Sequence, residues 1–229
     1  MKKRTLIINY IVLGLLFIVN IMAIIFYVTP VDTDRVFEEN IMKVVEIKSS
    51  NDEETWGYAT GFFIDSKGTI LTNRHVVRDL TSNTNYGVVK VRTVTEEEWT
   101  DATILKVSEN DDLAVIKIER ENTKYFTFDE NALNGETIFT IGNPSGFGLS
   151  FATGVVSSNR RAIVYNGQEI ETMQTSLVIN EGNSGGPVFN LSGKALGIIS
   201  FRLKDRNNDV IQGVSFALRA STINNFLKD

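Results

Sequence analysis

The sequence predicts an all-β domain of the barrel or sandwich class, preceded by one transmembrane helix and closed by a short C-terminal helix. Three observations lead to this fold class. The segment from Thr5 to Val28 carries no charge, about twelve short strand-like runs follow it between turn signals, and no long amphipathic helix interrupts them. With 42% hydrophobic and 22% charged residues, the 229-residue chain is too apolar for a disordered protein.

The N-terminal segment is interpreted from its length and its flanks. At 1.5 Å per residue it extends about 36 Å as a helix, enough to cross a hydrocarbon core of about 30 Å. A secretory signal peptide shares the basic start Lys2-Lys3-Arg4 but ends in a small-x-small cleavage site, which residues 24–30 do not offer. We therefore favour a cytoplasmic stub and uncleaved anchor over residues 1–28, rather than a cleaved signal, with residues from 30 onward outside the cytoplasm.

Residues 29–42 are predicted to be a juxtamembrane segment with one short helix between Val31 and Ile41. The strands then follow in order: Val44–Ile47, Thr60–Ile64, Thr69–Thr72, Val88–Val94, Ala102–Val107, Leu113–Ile118, Glu136–Ile141, Ala152–Ser157, Ile170–Gln174, Pro187–Asn190, Ala195–Phe201 and Gly213–Leu218. Asp65-Ser66-Lys67-Gly68 is a hairpin turn between the second and third of them.

The closing helix is predicted over Ser221–Leu227. Ser221 is the expected N-cap, and Ile223, Phe226 and Leu227 are the expected buried face.

Composition excludes several classes of function. A net charge of −5, from 23 basic and 28 acidic residues, argues against nucleic acid as the main partner. The absence of cysteine excludes disulfides, thiol catalysis and cysteine-ligated zinc. A single histidine excludes a multi-histidine metal centre, so we expect neither a metal nor a cofactor.

The segment Gly182-Asn183-Ser184-Gly185-Gly186-Pro187 is the strongest chemical signal. A nucleophilic serine needs an exposed hydroxyl on a tight turn, with backbone N–H groups free to face an oxyanion. Glycines on both sides permit the necessary dihedral angles and the close approach of a substrate carbonyl. A generic glycine-rich turn is the alternative, and the length of the motif makes it the weaker one.

Two further segments supply the partners that such a serine needs. His75 is the only imidazole, so any histidine acid–base chemistry must use it, although a lone histidine is more often structural. Asp111 and Asp112 precede a buried strand, from which a carboxylate reaches the histidine Nδ1 and fixes its tautomer. Each signal is weak alone, but the chain order His, Asp, Ser makes the three strong together.

These segments resemble the trypsin-like serine proteases, specifically their HtrA (Do-like) branch, over about residues 40–228. The matching stretches are Ala59–Ile64 with Ile70–Val77, Asp112–Val115, Ile141–Pro144, Thr153–Ser157 and Asn180–Pro187. The resemblance implies two six-stranded antiparallel barrels within residues 43–229, the first over about 43–125 and the second over about 126–218, with the C-terminal helix at about 221–228. The sequence stops after the second barrel, so we expect no PDZ domain.

The resemblance also implies a role for each site residue. Ser184 is the expected nucleophile, His75 the general base and Asp112, chosen over Asp111 because it directly precedes Leu-Ala-Val, the orienting acid. The N–H groups of Gly182 and Ser184 are the expected oxyanion hole. The expected substrate pocket is Val178, Glu181, Ser200, Phe201 and Arg202. Ser200 should support the triad acid, with an ordinary strand serine as the alternative.

The predicted function is a membrane-anchored serine endopeptidase that acts on unfolded or exposed proteins outside the cytoplasm, in the cell membrane of a bacterium. Val178 at the pocket base would favour aliphatic over basic residues at the cleavage site. The expected partners are protein or peptide substrates, and the family often forms homotrimers. The alternatives are a non-catalytic chaperone-like or adhesion domain on the same fold and a purely structural envelope protein.

Overall fold

The computed structural model describes residues 2–28, 31–165, 167–204 and 210–228. They divide into two units, one ending at Arg35 and the other beginning at Val36. The first unit contains helix α1 (Lys2–Val28). Its segment Leu6–Ile24 is long and apolar enough to cross a membrane, a test that an N-terminal signal sequence also passes.

The predicted juxtamembrane helix is present as α2 (Thr33–Asn40), followed by one 3₁₀ turn, Ile41–Lys43. Val36 and Ile41 are buried in the core of the second unit, and the Phe37 ring meets Phe151 edge-on at 5.7 Å between centroids. Residues 36–43 are therefore part of the folded domain.

The second unit begins with one antiparallel sheet and the short elements attached to it. The elements are β1 (Val44–Ser50), β2 (Gly57–Phe63), β3 (Thr69–Thr72), α3 (Arg74–Val77), β4 (Arg78–Asp79), β5 (Thr84–Asn85), β6 (Val88–Thr93), β7 (Thr100–Asp101), β8 (Thr103–Val107) and β9 (Ala114–Lys117). The sheet order is β7-β6-β1-β2-β3-β9-β8, and β4 pairs with β5 separately. The turn at residues 65–68 joins β2 to β3 as predicted, with Ile64 N–H bonded to the Thr69 carbonyl at 2.9 Å.

This first sheet corrects the prediction of a six-stranded barrel, because it has seven strands in an open order. The predicted strand Ala102–Val107 is present as β8, which pairs with β9. The additional strand is β7, which pairs with β6 and is separated from β8 only by Ala102, whose N–H donates to the carbonyl of Val89 at 2.9 Å. The edge strands β7 and β8 are thus neighbours in the chain, although no ladder joins them and the sheet stays open.

The second sheet is a six-stranded ring. Its strands are β10 (Thr137–Gly142), β11 (Ser150–Tyr165), β12 (Gln168–Thr175), β13 (Pro187–Asn190), β14 (Ala195–Lys204) and β15 (Val210–Arg219). They follow the order β10-β11-β12-β15-β14-β13, and β13 pairs back onto β10. All twelve predicted strands overlap an observed one, and the three two-residue strands β4, β5 and β7 were not predicted.

A seam of aromatic rings joins the two sheets. Phe62 of β2 meets Phe126 edge-on at 5.6 Å between centroids, and Phe126 meets Phe189 of β13 at 5.2 Å. All three side chains are buried. Because one apolar cluster contains residues of both sheets, their relative placement, and hence the cleft between them, is fixed by packing.

Helix α4 (Ala220–Lys228) closes the chain. Ile223 and Phe226 are buried as predicted, and Leu227 is partly buried. The predicted N-cap needs correction. The helix begins at Ala220, directly after β15, so Ser221 lies in its first turn.

Candidate active site

Ser184 lies on a tight turn between β12 and β13. The Asn183 N–H donates to the Asn180 carbonyl at 3.1 Å, and the Gly186 N–H donates to the Asn183 carbonyl at 3.0 Å. The glycines that flank this turn are needed for two reasons. Gly182 has φ +95° and Gly185 has φ +85°, and a Cβ at either would lie 2.0 Å from a carbonyl oxygen, that of Asn143 or Thr60.

His75 lies on the four-residue helix α3, one turn after the buried strand β3. Its side chain is 31% exposed, so part of the imidazole is open to solvent. Asn73, the residue between β3 and α3, is buried, and its side-chain amide donates to the main-chain carbonyl of Asp112 at 2.9 Å. The histidine and aspartate segments are therefore tied together through the backbone as well as through their side chains.

Asp112 is fully buried and accepts several hydrogen bonds. His75 Nδ1 lies 2.8 Å from Oδ2 and 3.0 Å from Oδ1, and the His75 main-chain N–H donates to Oδ1 at 3.1 Å. The Ser200 hydroxyl donates to Oδ2. Asp111, the alternative acid, contributes no hydrogen bond or ion pair to His75 in the described part of the chain.

The two neighbouring carboxylates differ in protonation tendency. Burial raises the pKa of Asp112, but the charge of His75 and the hydrogen bonds from His75 and Ser200 outweigh it, so the net pKa lies below the ordinary value. Burial raises the pKa of Asp111, and the nearby Arg74 offsets part of the rise. Asp112 is thus the carboxylate that stays ionised next to the imidazole.

Ser184 and His75 line the same cleft of about 650 Å³. Among the described residues no hydrogen bond joins the Ser184 hydroxyl to the imidazole. His75 Nδ1 is occupied by Asp112, so Nε2 is the ring nitrogen left for a partner in the cleft. Catalytic hydrogen bonds are often long in unliganded enzymes and tighten when substrate binds.

The predicted oxyanion donors are oriented by the carbonyl groups next to them. The Glu181 carbonyl accepts from the Ser145 N–H at 2.7 Å, and the Asn183 carbonyl accepts from the Gly186 N–H at 3.0 Å. In a trans peptide the N–H points opposite to the C=O, so the N–H groups of Gly182 and Ser184 point away from these partners. In the described part of the chain neither N–H donates a hydrogen bond.

The predicted pocket residues are only partly in the cleft. The cleft is lined by Ser49, Trp56, Gly57, Tyr58, Ala59, His75, Val76 and Tyr86 from the first sheet and its loops, and by Ser145, Glu181, Gly182, Ser184, Ser200 and Arg202 from the second. Phe201 packs against the core, and Val178 is 54% exposed outside this lining. Arg202 is paired with Glu181 at 3.2 Å.

The sequence interpretation missed the buried threonine Thr60 and the main chain of Ser145. Thr60 bonds to Gly182 and Asn143, residues 122 and 83 positions away, so no local pattern could indicate it. Its one local signal is a polar residue within an otherwise apolar run beside Gly61. Within the described residues no group of three or more His, Asp or Glu side chains is placed to hold a metal.

Known serine proteases resemble this chain in sequence. Residues 59–198 match the family model described as a trypsin-like peptidase domain. A probable periplasmic serine endoprotease, DegP-like, of Bartonella henselae is 35% identical over 171 residues, covering 72% of this chain and 31% of the relative. The mitochondrial serine protease HTRA2 of Drosophila erecta is 33% identical over 174 residues, covering 74% and 38%. The chain thus spans only 31% to 38% of the length of these curated relatives.

Solved structures share the fold. The HtrA-type protease AlgW with a tripeptide superposes with a TM-score of 0.72 at 24% identity, covering 84% of this chain and 61% of that one. The serine endoprotease from Yersinia pestis gives a TM-score of 0.70 at 24% identity, covering 87% and 66%. At this level of identity the likeness concerns the fold alone.

Proposed function

Because this chain belongs to the trypsin-like peptidase family, with DegP and HtrA serine proteases among its relatives, we propose that it is a serine endopeptidase. Ser184 is the nucleophile, His75 the general base and Asp112 the residue that orients His75. The observation that carries the proposal is the buried, ionised Asp112 on His75 Nδ1, in a cleft that Ser184 also lines.

The first half-reaction forms an acyl-enzyme. The Ser184 Oγ attacks the scissile carbonyl carbon while His75 Nε2 takes the hydroxyl proton. The tetrahedral oxyanion faces the N–H groups of Gly182 and Ser184, and each such donor is worth about 3 kcal/mol of transition-state stabilisation. The C–N bond then breaks as His75 returns its proton to the leaving amine.

The second half-reaction releases the acyl product. Water gives a proton to His75 Nε2 and its oxygen attacks the ester carbon. Collapse of the second tetrahedral intermediate breaks the bond to Ser184, which recovers its proton from His75. Asp112 stabilises the imidazolium in both halves, and Ser200 holds the carboxylate through its hydroxyl.

We propose that this chemistry takes place outside the cytoplasm, with α1 as a single membrane anchor in a bacterial cell. Support comes from the apolar segment Leu6–Ile24 behind a basic N-terminus and from relatives named as periplasmic. The substrates are unfolded or exposed proteins. Assembly as a homotrimer is part of the proposal because the family often assembles so.

Preference for aliphatic residues at the cleavage site stays a prediction. Val178 was its basis, and this side chain lies outside the cleft lining. The aliphatic residues that do line the cleft are Ala59 and Val76, both from the first sheet or its loops. Sequencing the ends of casein fragments by mass spectrometry will identify the preference directly.

The test compares full-length wild type and Ser184→Ala, both in detergent, on unfolded β-casein at mildly alkaline pH. We expect fragmentation by the wild type alone and covalent labelling of Ser184 by a fluorophosphonate probe. Ser192→Ala is the matched control, since it removes an exposed hydroxyl from the β13–β14 turn and should cleave normally. Absence of both cleavage and labelling in the wild type would contradict the proposal and favour a non-catalytic binding domain.

A further inference from the structure

Thr60 is a fully buried polar residue at the boundary between the two sheets. It lies on β2, opposite Glu46 of β1, and the nearby β2 residues Ala59 and Phe62 pack into the apolar core. Its hydroxyl and its main-chain N–H bond to the second sheet, and its carbonyl bonds to Thr72 of β3. A buried hydroxyl in an apolar strand is costly unless each of its bonds is made, so its partners are informative.

Thr60 makes four hydrogen bonds, three of which reach the second sheet. Its main-chain N–H donates to the Ser184 carbonyl at 3.0 Å, and its hydroxyl donates to the Gly182 carbonyl at 2.7 Å. The same hydroxyl accepts from the Asn143 N–H at 2.9 Å. The fourth bond is local, from the Thr72 hydroxyl to the Thr60 carbonyl at 2.8 Å.

The direction of the hydroxyl proton follows from these partners. A carbonyl only accepts and a main-chain N–H only donates, so the Thr60 proton must point at Gly182 and a lone pair must face Asn143. The hydroxyl therefore links two loops of the second sheet, the nucleophile loop (residues 180–186, which contain Ser184) and the loop that begins at Asn143. Both links are buried, where a missing partner leaves an unsatisfied polar group.

These two loops orient the peptide groups around Ser184. The Asn143 loop supplies the Ser145 N–H that holds the Glu181 carbonyl, and this bond directs the Gly182 N–H to the opposite side. Thr60 itself holds the carbonyls of Gly182 and Ser184, one on each side of Asn183. The Asn183 carbonyl accepts from the Gly186 N–H, so every carbonyl from Glu181 to Ser184 in the segment that carries the predicted oxyanion donors is hydrogen-bonded.

We propose that Thr60 is a positioning residue, whose hydroxyl keeps the N–H groups of Gly182 and Ser184 aimed at the oxyanion. It acts across the boundary between the sheets and touches no reacting atom. This inference rests on the proposed peptidase activity. It predicts that losing the hydroxyl weakens transition-state stabilisation while ground-state binding of substrate is kept.

The test compares Thr60→Val with Thr60→Ser in the full-length protein, using a fluorogenic peptide chosen from the casein cleavage sites. Valine keeps the shape and the main-chain bond to Ser184 but loses both hydroxyl bonds, whereas serine keeps them. For Thr60→Val we expect kcat and the rate of fluorophosphonate labelling to fall about tenfold to a hundredfold, with KM changed less than about threefold. Thr60→Ser should stay within about threefold of wild type in kcat.

Two controls separate this role from a purely structural one. Thr72→Val removes a buried hydroxyl bond from the neighbouring strand and should leave kcat within about threefold. In the Ser184→Ala background, Thr60→Val should bind the same peptide with unchanged affinity. If the valine variant does not fold, Thr60→Cys replaces it. A thiol is a weak donor and acceptor, so this variant should have a kcat below that of the serine variant.

The outcomes are distinct. A wild type without Ser184-dependent turnover overturns the proposed function and this inference with it. An active wild type overturns the inference alone in three cases: the valine or cysteine variant keeps the wild-type kcat, the serine variant is impaired as much as valine, or only KM rises. A reduced kcat that serine restores supports the positioning role.

Discussion

At the residue scale, the geometry around Asp112 determines which tautomer His75 adopts. Oδ1 accepts from the His75 main-chain N–H, and Oδ2 accepts from the Ser200 hydroxyl and from Nδ1. An ionised carboxylate only accepts, so Nδ1 must carry its proton. In the neutral imidazole Nε2 then carries the free lone pair, which is the state that a general base requires.

We expect Asp112→Asn to reduce kcat by about a thousandfold to ten-thousandfold with little change in fold. The amide oxygen must occupy the Oδ1 position, because the His75 main-chain N–H needs an acceptor there. The amide NH₂ then faces Nδ1 and donates to it, which moves the imidazole proton to Nε2. Steady-state cleavage of the peptide substrate measures the loss. Asp111→Asn is the matched control and should retain activity, and equal losses in the two variants would contradict this assignment.

The pKa of Asp112 also predicts a pH dependence of stability. Burial raises this pKa, but His75 and the other hydrogen bonds lower it by more than burial raises it, so the pKa lies below its ordinary value of 3.8. A carboxyl whose pKa is lower in the folded state stabilises that state when ionised. This contribution is present above the unfolded-state pKa and is lost as the pH falls through the folded-state pKa.

We therefore expect the free energy of unfolding of the wild type, minus that of Asp112→Asn, to be larger at neutral pH and to shrink once the pH falls below about 4. Urea unfolding of both proteins over a pH series measures the difference, in which the other carboxyl groups cancel. A difference that stays constant between neutral and acidic pH would show that Asp112 does not titrate with a lowered pKa.

At the scale of single elements, the nucleophile loop was predictable from sequence because its requirements are local. Gly182, Ser184 and Gly185 are neighbours in the chain, and the left-handed dihedral angles that the turn imposes on the two glycines are properties of the residues themselves. Thr60 was not predictable, since its role depends on partners in another sheet. Val178 was assigned to the pocket by position in a motif, and its exposed side chain shows how little chain position says about orientation.

The same limit explains the correction to the first sheet. The apolar pattern predicted the strand Ala102–Val107, which is present as β8, but it carries no information about the pairing of residues 100–101 with β6 that adds a seventh strand. The short strands β4, β5 and β7 each have two residues, too few for any period to be recognised. Element existence was thus predictable, whereas ladder continuity depended on long-range pairing.

The nucleophile loop yields a prediction with an internal control. Gly182 and Gly135 both have positive φ, but a Cβ at Gly182 would lie 2.0 Å from the Asn143 carbonyl oxygen, whereas a Cβ at Gly135 would meet nothing within 4 Å. Gly135→Ala should cost about 1–2 kcal/mol through backbone strain alone. Gly182→Ala should cost more and abolish fluorophosphonate labelling, because the clash displaces a predicted oxyanion donor. Equal unfolding free energies and normal labelling in both variants would contradict this account.

At the scale of the whole molecule, the candidate site depends on both sheets. His75 and Asp112 belong to the first sheet and its loops, while Ser184 and Ser200 belong to the second. The bond between Ser200 and Asp112, the bonds of Thr60 and the aromatic seam of Phe62, Phe126 and Phe189 all cross the boundary. The two halves of the site are therefore held together by packing and hydrogen bonds that no single segment contains.

The proposed anchor makes the last prediction, on the side of the membrane that the protease domain occupies. The chain has no cysteine, so Ser192→Cys, at an exposed turn, introduces a single reactive thiol into the full-length protein. With Lys2, Lys3 and Arg4 retained in the cytoplasm, we expect a membrane-impermeant maleimide to label this thiol in intact bacterial spheroplasts, and the protein to resist carbonate extraction. Lys3→Cys, in a separate protein, should be labelled only after lysis. A shortened, extractable chain would mean that the helix is a cleaved signal, and the reverse labelling pattern would place the proteolytic site in the cytoplasm.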